Sequence, residues 1–103
     1  MNAPGRFEMF YRQVEDVLFC CPKVAEAVVL AVGGLQQAEI LKAYIVLREG
    51  EAATAEEIVR FCAGRLEEFL VPGAVEFRES LPKTPAGKVL RRVLLEEEKN
   101  RNR

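Results

Sequence analysis

Val24-Ala-Glu-Ala-Val-Val-Leu-Ala-Val32 is the stretch that decides the fold. It is rich in β-branched residues and carries one charge in nine positions. A strand with both faces covered has that composition. Gly33-Gly34 breaks the run. Leu41 to Leu47 then alternates, with Leu41, Ala43, Ile45 and Leu47 on one face and Lys42 and Tyr44 on the other. That is the pattern of a half-buried strand, joined to the first by a hairpin.

Working outward, Val14, Val17, Leu18 and Cys21 fall at i, i+3, i+4 and i+7. This stripe predicts a helix from about Arg12 to Cys21, stopped by Pro22. Phe7 to Tyr11 reads as a short extended lead, with Phe10 and Tyr11 exposed. On the other side, Thr54-Ala-Glu-Glu57 is a capping box that opens a second helix. Its apolar face is Ile58, Phe61, Cys62, Leu66 and Phe69, with Gly64 tolerated for close packing. Ala74 to Arg78 is a short strand with Val75 and Phe77 facing one way, and Phe61, Phe69 and Phe77 are expected in the core. A last helix is expected from about Gly87, turning Val89, Leu90, Val93 and Leu94 inward. The predicted class is α+β: a small central sheet of about three strands packed with about three helices. The predicted organisation is a lead-in over 1–6, one domain over 7–95 and a charged, frayed tail over 96–103.

The chain has 103 residues, half of them hydrophobic and 30% charged, with a net charge of -1. This suits one folded domain and gives no global field for nucleic acid or an anionic membrane. There is no histidine, which removes the commonest general base and metal ligand. Cys20, Cys21 and Cys62 have neither disulfide nor zinc-ligand spacing, so no metal site is expected. Cys21 and Cys62 are expected in the core, as reduced thiols of a cytoplasmic protein. No apolar run approaches the roughly 18 residues that span a bilayer. Glu15, Asp16, Glu56 and Glu57 are explained by solvation or capping.

Chemistry concentrates in Pro82-Lys-Thr-Pro-Ala-Gly-Lys88, followed by Val-Leu-Arg-Arg92. Gly87 permits unusual backbone angles, and Lys88 would stand at a helix start as a mobile point charge for an anionic oxygen. On composition alone the stretch reads either as a solvated basic surface or as an anion site. It is not a P-loop, since position 89 is Val. No aromatic residues interleave as in a nucleic-acid patch.

The stretch resembles the Pro-Lys-Thr/Ser-x-x-Gly-Lys-x-x-Arg motif that closes the adenylate-forming superfamily of acyl- and aryl-CoA synthetases, peptide-synthetase adenylation domains and luciferases. Further blocks are similar in the same order: Gln13-Val-Glu-Asp-Val-Leu18, Pro22-Lys-Val-Ala-Glu-Ala-Val-Val29, Lys42-Ala-Tyr-Ile-Val-Leu47, and Leu70-Val-Pro72 with Val75-Glu-Phe77. The resemblance implies the C-terminal lid domain of an AMP-forming acid–thiol ligase. The lysine matching Lys88 would enter the active site when a carboxylic acid is activated by ATP, with Lys83, Thr84 and Gly87 as its loop. Arg91 and Arg92 match positions just after it and are assigned surface salt bridges only. ATP or AMP, magnesium and coenzyme A are implied for the complete enzyme, none bound by this domain alone. The partner implied is a large N-terminal adenylation domain, in cis or in trans.

Gly33, Gly34 and Glu39 match a loop that commonly faces thiol transfer. The family often has an acid where this chain has Gly34, which takes a usual group from that step. The family's hinge signature, Gly-Arg-x-Lys-Asp, is not in this sequence, and Gly73 replaces a commonly basic residue. The missing hinge and the altered 33–39 loop favour an alternative, a non-catalytic docking or regulatory module derived from the same domain.

Overall fold

The computed structural model describes residues 7–33 and 38–101. In chain order its elements are a 3-10 turn (Glu8–Phe10), helix α1 (Tyr11–Phe19), strands β1 (Val24–Val32) and β2 (Ile40–Leu47), helix α2 (Ala55–Ala63), a 3-10 turn (Glu68–Leu70), strand β3 (Ala74–Phe77) and helix α3 (Arg91–Arg101). The expected α+β class is what forms. The three strands make one sheet in the order β1-β2-β3. β1 and β2 are antiparallel, whereas β3 runs parallel to β2 after the α2 crossover. The lead-in residues 1–6 and the last two residues of the expected tail lie outside the described residues.

β1 is covered on both faces, as its composition requires. Val24, Ala27 and Val29 join Val14 and Leu18 of α1 and Ile58 and Cys62 of α2 in one apolar cluster. Val28 and Leu30 face the opposite way, toward Leu81 and Leu94. A register shift between Val24 and Glu26 sets the phase of that alternation.

β2 departs from its half-buried reading. Tyr44 and Val46, on the face expected in water, are buried beneath α3. The polar atoms of that face are satisfied instead of solvated. The Tyr44 hydroxyl donates to Glu98 at 2.6 Å, and the Lys42 ammonium meets the same carboxylate oxygen at 2.5 Å. Long amphipathic side chains look polar in a sequence pattern yet bury most of their length.

Several other expectations are corrected. Phe7 to Tyr11 is not extended: its 3-10 turn runs directly into α1, with Phe7 buried and Phe10 and Tyr11 half-buried. The capping box at Thr54 forms as read, but α2 ends at Gly64 and does not reach Phe69. Gly64 has open space around it, so it serves as a helix terminus and not as a packing point. The following turn points Leu70 into the core and leaves Phe69 half-exposed, with its ring edge-on to Phe10 at 5.4 Å. Phe77, at the end of the short edge strand, is exposed as well. Cys21 and Cys62 are buried as expected, and Cys20 is exposed.

The stretch read as a frayed tail is helical to Arg101 and straps α3 to the sheet. Glu76 on β3 receives Arg101 at 2.6 Å, Lys42 at 2.9 Å and Arg78 at 3.1 Å, while Arg78 also reaches Glu97 at 2.8 Å. The Arg101 hydrogen bond, aided by Lys42, holds the Glu76 carboxyl down at about 2. Burial opposes ionisation of Glu98, but hydrogen bonds from Lys42 and Tyr44 outweigh it, and its carboxyl also lies below the usual range.

Two outcomes follow. Leu94 is fully buried between α3 and the sheet, so Leu94→Ala should cost about 2–5 kcal/mol in urea denaturation. A depressed carboxylate stabilises the fold above its unfolded pKa and loses that contribution as pH falls through the folded value. The thermal midpoint should therefore hold above about pH 4.5 and fall toward about 2. Glu76→Gln should flatten that fall while lowering the midpoint at neutral pH.

Candidate active site

The chain between β3 and α3 has to pass from the sheet to its second covered face. Leu81 is buried there beside Leu94 and fixes the start of the passage. The next residues form a small hairpin and not the first turn of α3. Lys83 and Val89 make an antiparallel bridge, and the Leu90 N–H donates to the Pro82 carbonyl at 2.8 Å. At the tip, the Gly87 N–H donates to the Thr84 carbonyl at 2.8 Å and the Thr84 N–H to the Lys88 carbonyl at 2.9 Å. The Thr84 hydroxyl accepts the Lys88 N–H at 3.1 Å. Pro85 and Gly87 occupy the turn positions that favour them, and Gly87 has φ of +88°. The expected placement of Lys88 at a helix start is thus corrected. Its own N–H is committed to Thr84, and α3 begins at Arg91. A helix-type sequence period was overruled by proline and glycine turn chemistry.

The four cations of this region are not equivalent. Lys83 is paired with Glu26 of β1 at 2.5 Å. Arg91 is paired with Glu15 of α1 at 2.5 Å, and its guanidinium lies 5.5 Å from the centre of the Tyr11 ring. Arg92 is exposed, and Lys88 is exposed on the hairpin. Among the described residues, no hydrogen bond or ion pair engages the Lys88 ammonium. The structure therefore joins Lys83, Thr84, Gly87 and Lys88 in one ordered hairpin, with Lys88 carrying its free charge.

The other candidate loop is elsewhere. Gly33 ends β1 with φ of +89°, where a Cβ would meet the Ala38 carbonyl oxygen at 3.2 Å. Glu39 is exposed on the return, and Gly34 lies outside the described residues. Lys83 attaches near the beginning of β1, whereas Gly33 follows its end. Strand rising about 3.3 Å per residue puts roughly 20 Å between those two points. Among the described residues, no hydrogen bond or ion pair joins the two loops.

Among the described residues, no group of three or more histidine, cysteine, aspartate or glutamate side chains is placed to hold a metal ion. No helix among them is long and apolar enough to cross a membrane. Burial pushes the Cys62 thiol up to about 11, which removes it as a nucleophile at neutral pH.

The sequence reading missed Tyr11, Glu15 and Glu26. The Tyr11 hydroxyl accepts the Ala31 N–H at 2.8 Å, and Glu15 accepts the Val29 N–H at 2.9 Å. Their i, i+4 spacing on α1 was the available signal, since it places both on one side of the helix.

The family of the AMP-binding enzyme C-terminal domain has a model that matches residues 13–88, from α1 through Lys88. The chain belongs to this family. It is 44% identical over 94 residues to a long-chain-fatty-acid–CoA ligase of Bacillus subtilis, covering 91% of this chain and 17% of that protein. It is 35% identical over 82 residues to a crotonobetaine/carnitine–CoA ligase of Escherichia coli, covering 80% of this chain and 16% of that protein. A crystal structure of a Brucella canis acyl-CoA synthetase superposes with a TM-score of 0.83 at 35% identity, covering 89% of this chain and 18% of that one. The chain thus spans less than a fifth of the length of these relatives.

The AMP-binding C-terminal domain resembled by the sequence blocks is therefore the family, and its hairpin conformation depends on Gly87. Open space surrounds Gly87, so Gly87→Ala should cost only the left-handed backbone penalty of about 1–2 kcal/mol. A denaturant midpoint lowered by that amount, with the α-helical signal retained, is the expected result.

Proposed function

We propose that this chain acts as the lid domain of an adenylate-forming acid–thiol ligase and supplies Lys88 to the activation of a carboxylic acid by ATP. In that reaction a carboxylate oxygen attacks the α-phosphorus, the bond to pyrophosphate breaks, and an acyl-adenylate forms. A thiol, that of coenzyme A or of a carrier, then displaces AMP. The acid, the nucleotide and its magnesium would be held by a large adenylation domain, joined to this one in cis or docked in trans. The lid domain alone would bind none of them and would be inactive.

One observation carries this reading: the Lys88 ammonium is free on an ordered hairpin, while Lys83 and Arg91 beside it are committed to Glu26 and Glu15. An ammonium presents three donors on a compact charge. It would meet the carboxylate and the α-phosphate as charge builds between them, with no internal ion pair to break first. Preorganised charge of this kind is a large term in catalysis. Thr84 and Gly87 hold the backbone of the hairpin. Among the described residues, no hydrogen bond or ion pair joins this hairpin to Gly33 or Glu39, which supports separate uses for the two stretches, with the latter facing thiol transfer.

The test supplies the full chain to the large domain of the Bacillus subtilis relative, both in trans and fused in place of that protein's own C-terminal domain. Pyrophosphate release should rise with the chain present, and Lys88→Ala should lower it by about 10²–10³. Stimulation that survives Lys88→Ala would contradict the reading. Binding without stimulation in either arrangement would favour the docking module.

A further inference from the structure

Glu15 joins three elements through one oxygen. Its side chain is only 14% exposed. Its Oε2 accepts the Val29 N–H at 2.9 Å and an Arg91 Nη2–H at 2.5 Å. β1 is an edge strand, and the Val29 N–H is satisfied by this carboxylate from α1. Arg91 is the first residue of α3, three positions after Lys88. The exit arm of the Lys88 hairpin is therefore tied through Arg91 and Glu15 to the edge of β1. Tyr11, one turn earlier on α1, makes the parallel attachment at Ala31 and lies near the same guanidinium. The entry arm is tied to β1 by Lys83 and Glu26. Lys88 stands between these two attachments.

An exposed ion pair contributes little to stability. This pair differs in that the Val29 N–H fixes one partner, so the carboxylate can act as a rigid stop for Arg91. We infer that Glu15 is a positioning residue that sets the direction in which Lys88 is presented, by holding Arg91 against β1. The inference rests on the role proposed for Lys88, because a lysine with no ligand to meet needs no direction. Glu15 touches no reacting atom and acts only through Arg91 and the hairpin.

The experiment is a double-mutant cycle on the fused enzyme, read by radiolabelled pyrophosphate exchange. The variants are Glu15→Gln, Lys88→Ala and the two combined. Gln keeps an oxygen for the Val29 N–H and loses the charge that holds Arg91. Glu15→Gln should lower kcat about 10-fold, with KM for ATP changed less than about twofold. In the Lys88→Ala background the same change should have almost no further effect, because its target is gone. Arg91→Met, which breaks the link from the other side, should reproduce both results. It also replaces Glu15→Gln if the thermal midpoint of that variant collapses.

Wild-type kcat in both link variants, or a loss of equal size with and without Lys88, would overturn the inference while leaving the role of Lys88 intact. A silent Lys88→Ala would overturn the functional reading and this inference with it.

Discussion

Strands β1 and β2 are kept from water on both faces, and the rest of the domain follows from that constraint. Val29, Ala43 and Ile45 are fully buried on one side, and Val28 and Tyr44 almost so on the other. Each side needs its own cover, since apolar surface left in water costs about 25 cal/mol per Å². α1 and α2 cover the first face and α3 the second. A chain with both earlier helices on one side has to cross to the other before its last helix can form. The crossing is Arg78 to Leu90, and the Lys88 hairpin is its final part.

This origin explains why an exposed loop can be well ordered. Leu81 sits in the second core at one end, and Val89 packs against the same cluster at the other. Between them Thr84 binds the backbone of Lys88 twice. Ordering of the backbone is thus provided by burial and hydrogen bonds, and the ammonium is left uncommitted. Lys83, Arg91, Lys42, Arg78 and Arg101 all carry carboxylate partners. A free charge on a fixed frame is what charge stabilisation of a phosphoryl-type reaction needs.

Much of this was legible in the sequence because it rests on local rules. The bounds of β1 follow from its β-branched run, the start of α2 from the Thr54 capping box, and membership of the family from motif blocks spread along most of the chain. Most of the errors share one cause, the influence of distant partners on local patterns. Tyr44 and Lys42 read as solvent-facing because their polar tips meet Glu98, which is remote in sequence. Residues 96–101 read as a tail because their partners are on β2 and β3. Glu15 read as solvated because its partners, the Val29 N–H and Arg91, lie 14 and 76 residues away in sequence. The apolar spacing of Val89, Leu90, Val93 and Leu94 suggested an earlier start for α3, and the Pro85 and Gly87 turn prevented it. The lysine hairpin was found from its residues, but its conformation and the separate fates of its cations required the fold.

The most direct measurement follows the Lys88 side chain itself. The full chain, labelled with carbon-13 at lysine Cε, would be combined with the large domain of the fatty-acid ligase relative, and a non-reactive acyl-adenylate analogue would be added. The account predicts a shift of the Lys88 Cε signal on addition of the analogue, with the Lys83 signal unchanged in its pair with Glu26. An analogue that binds the complex and leaves Lys88 unmoved, or moves Lys83 in its place, would contradict it.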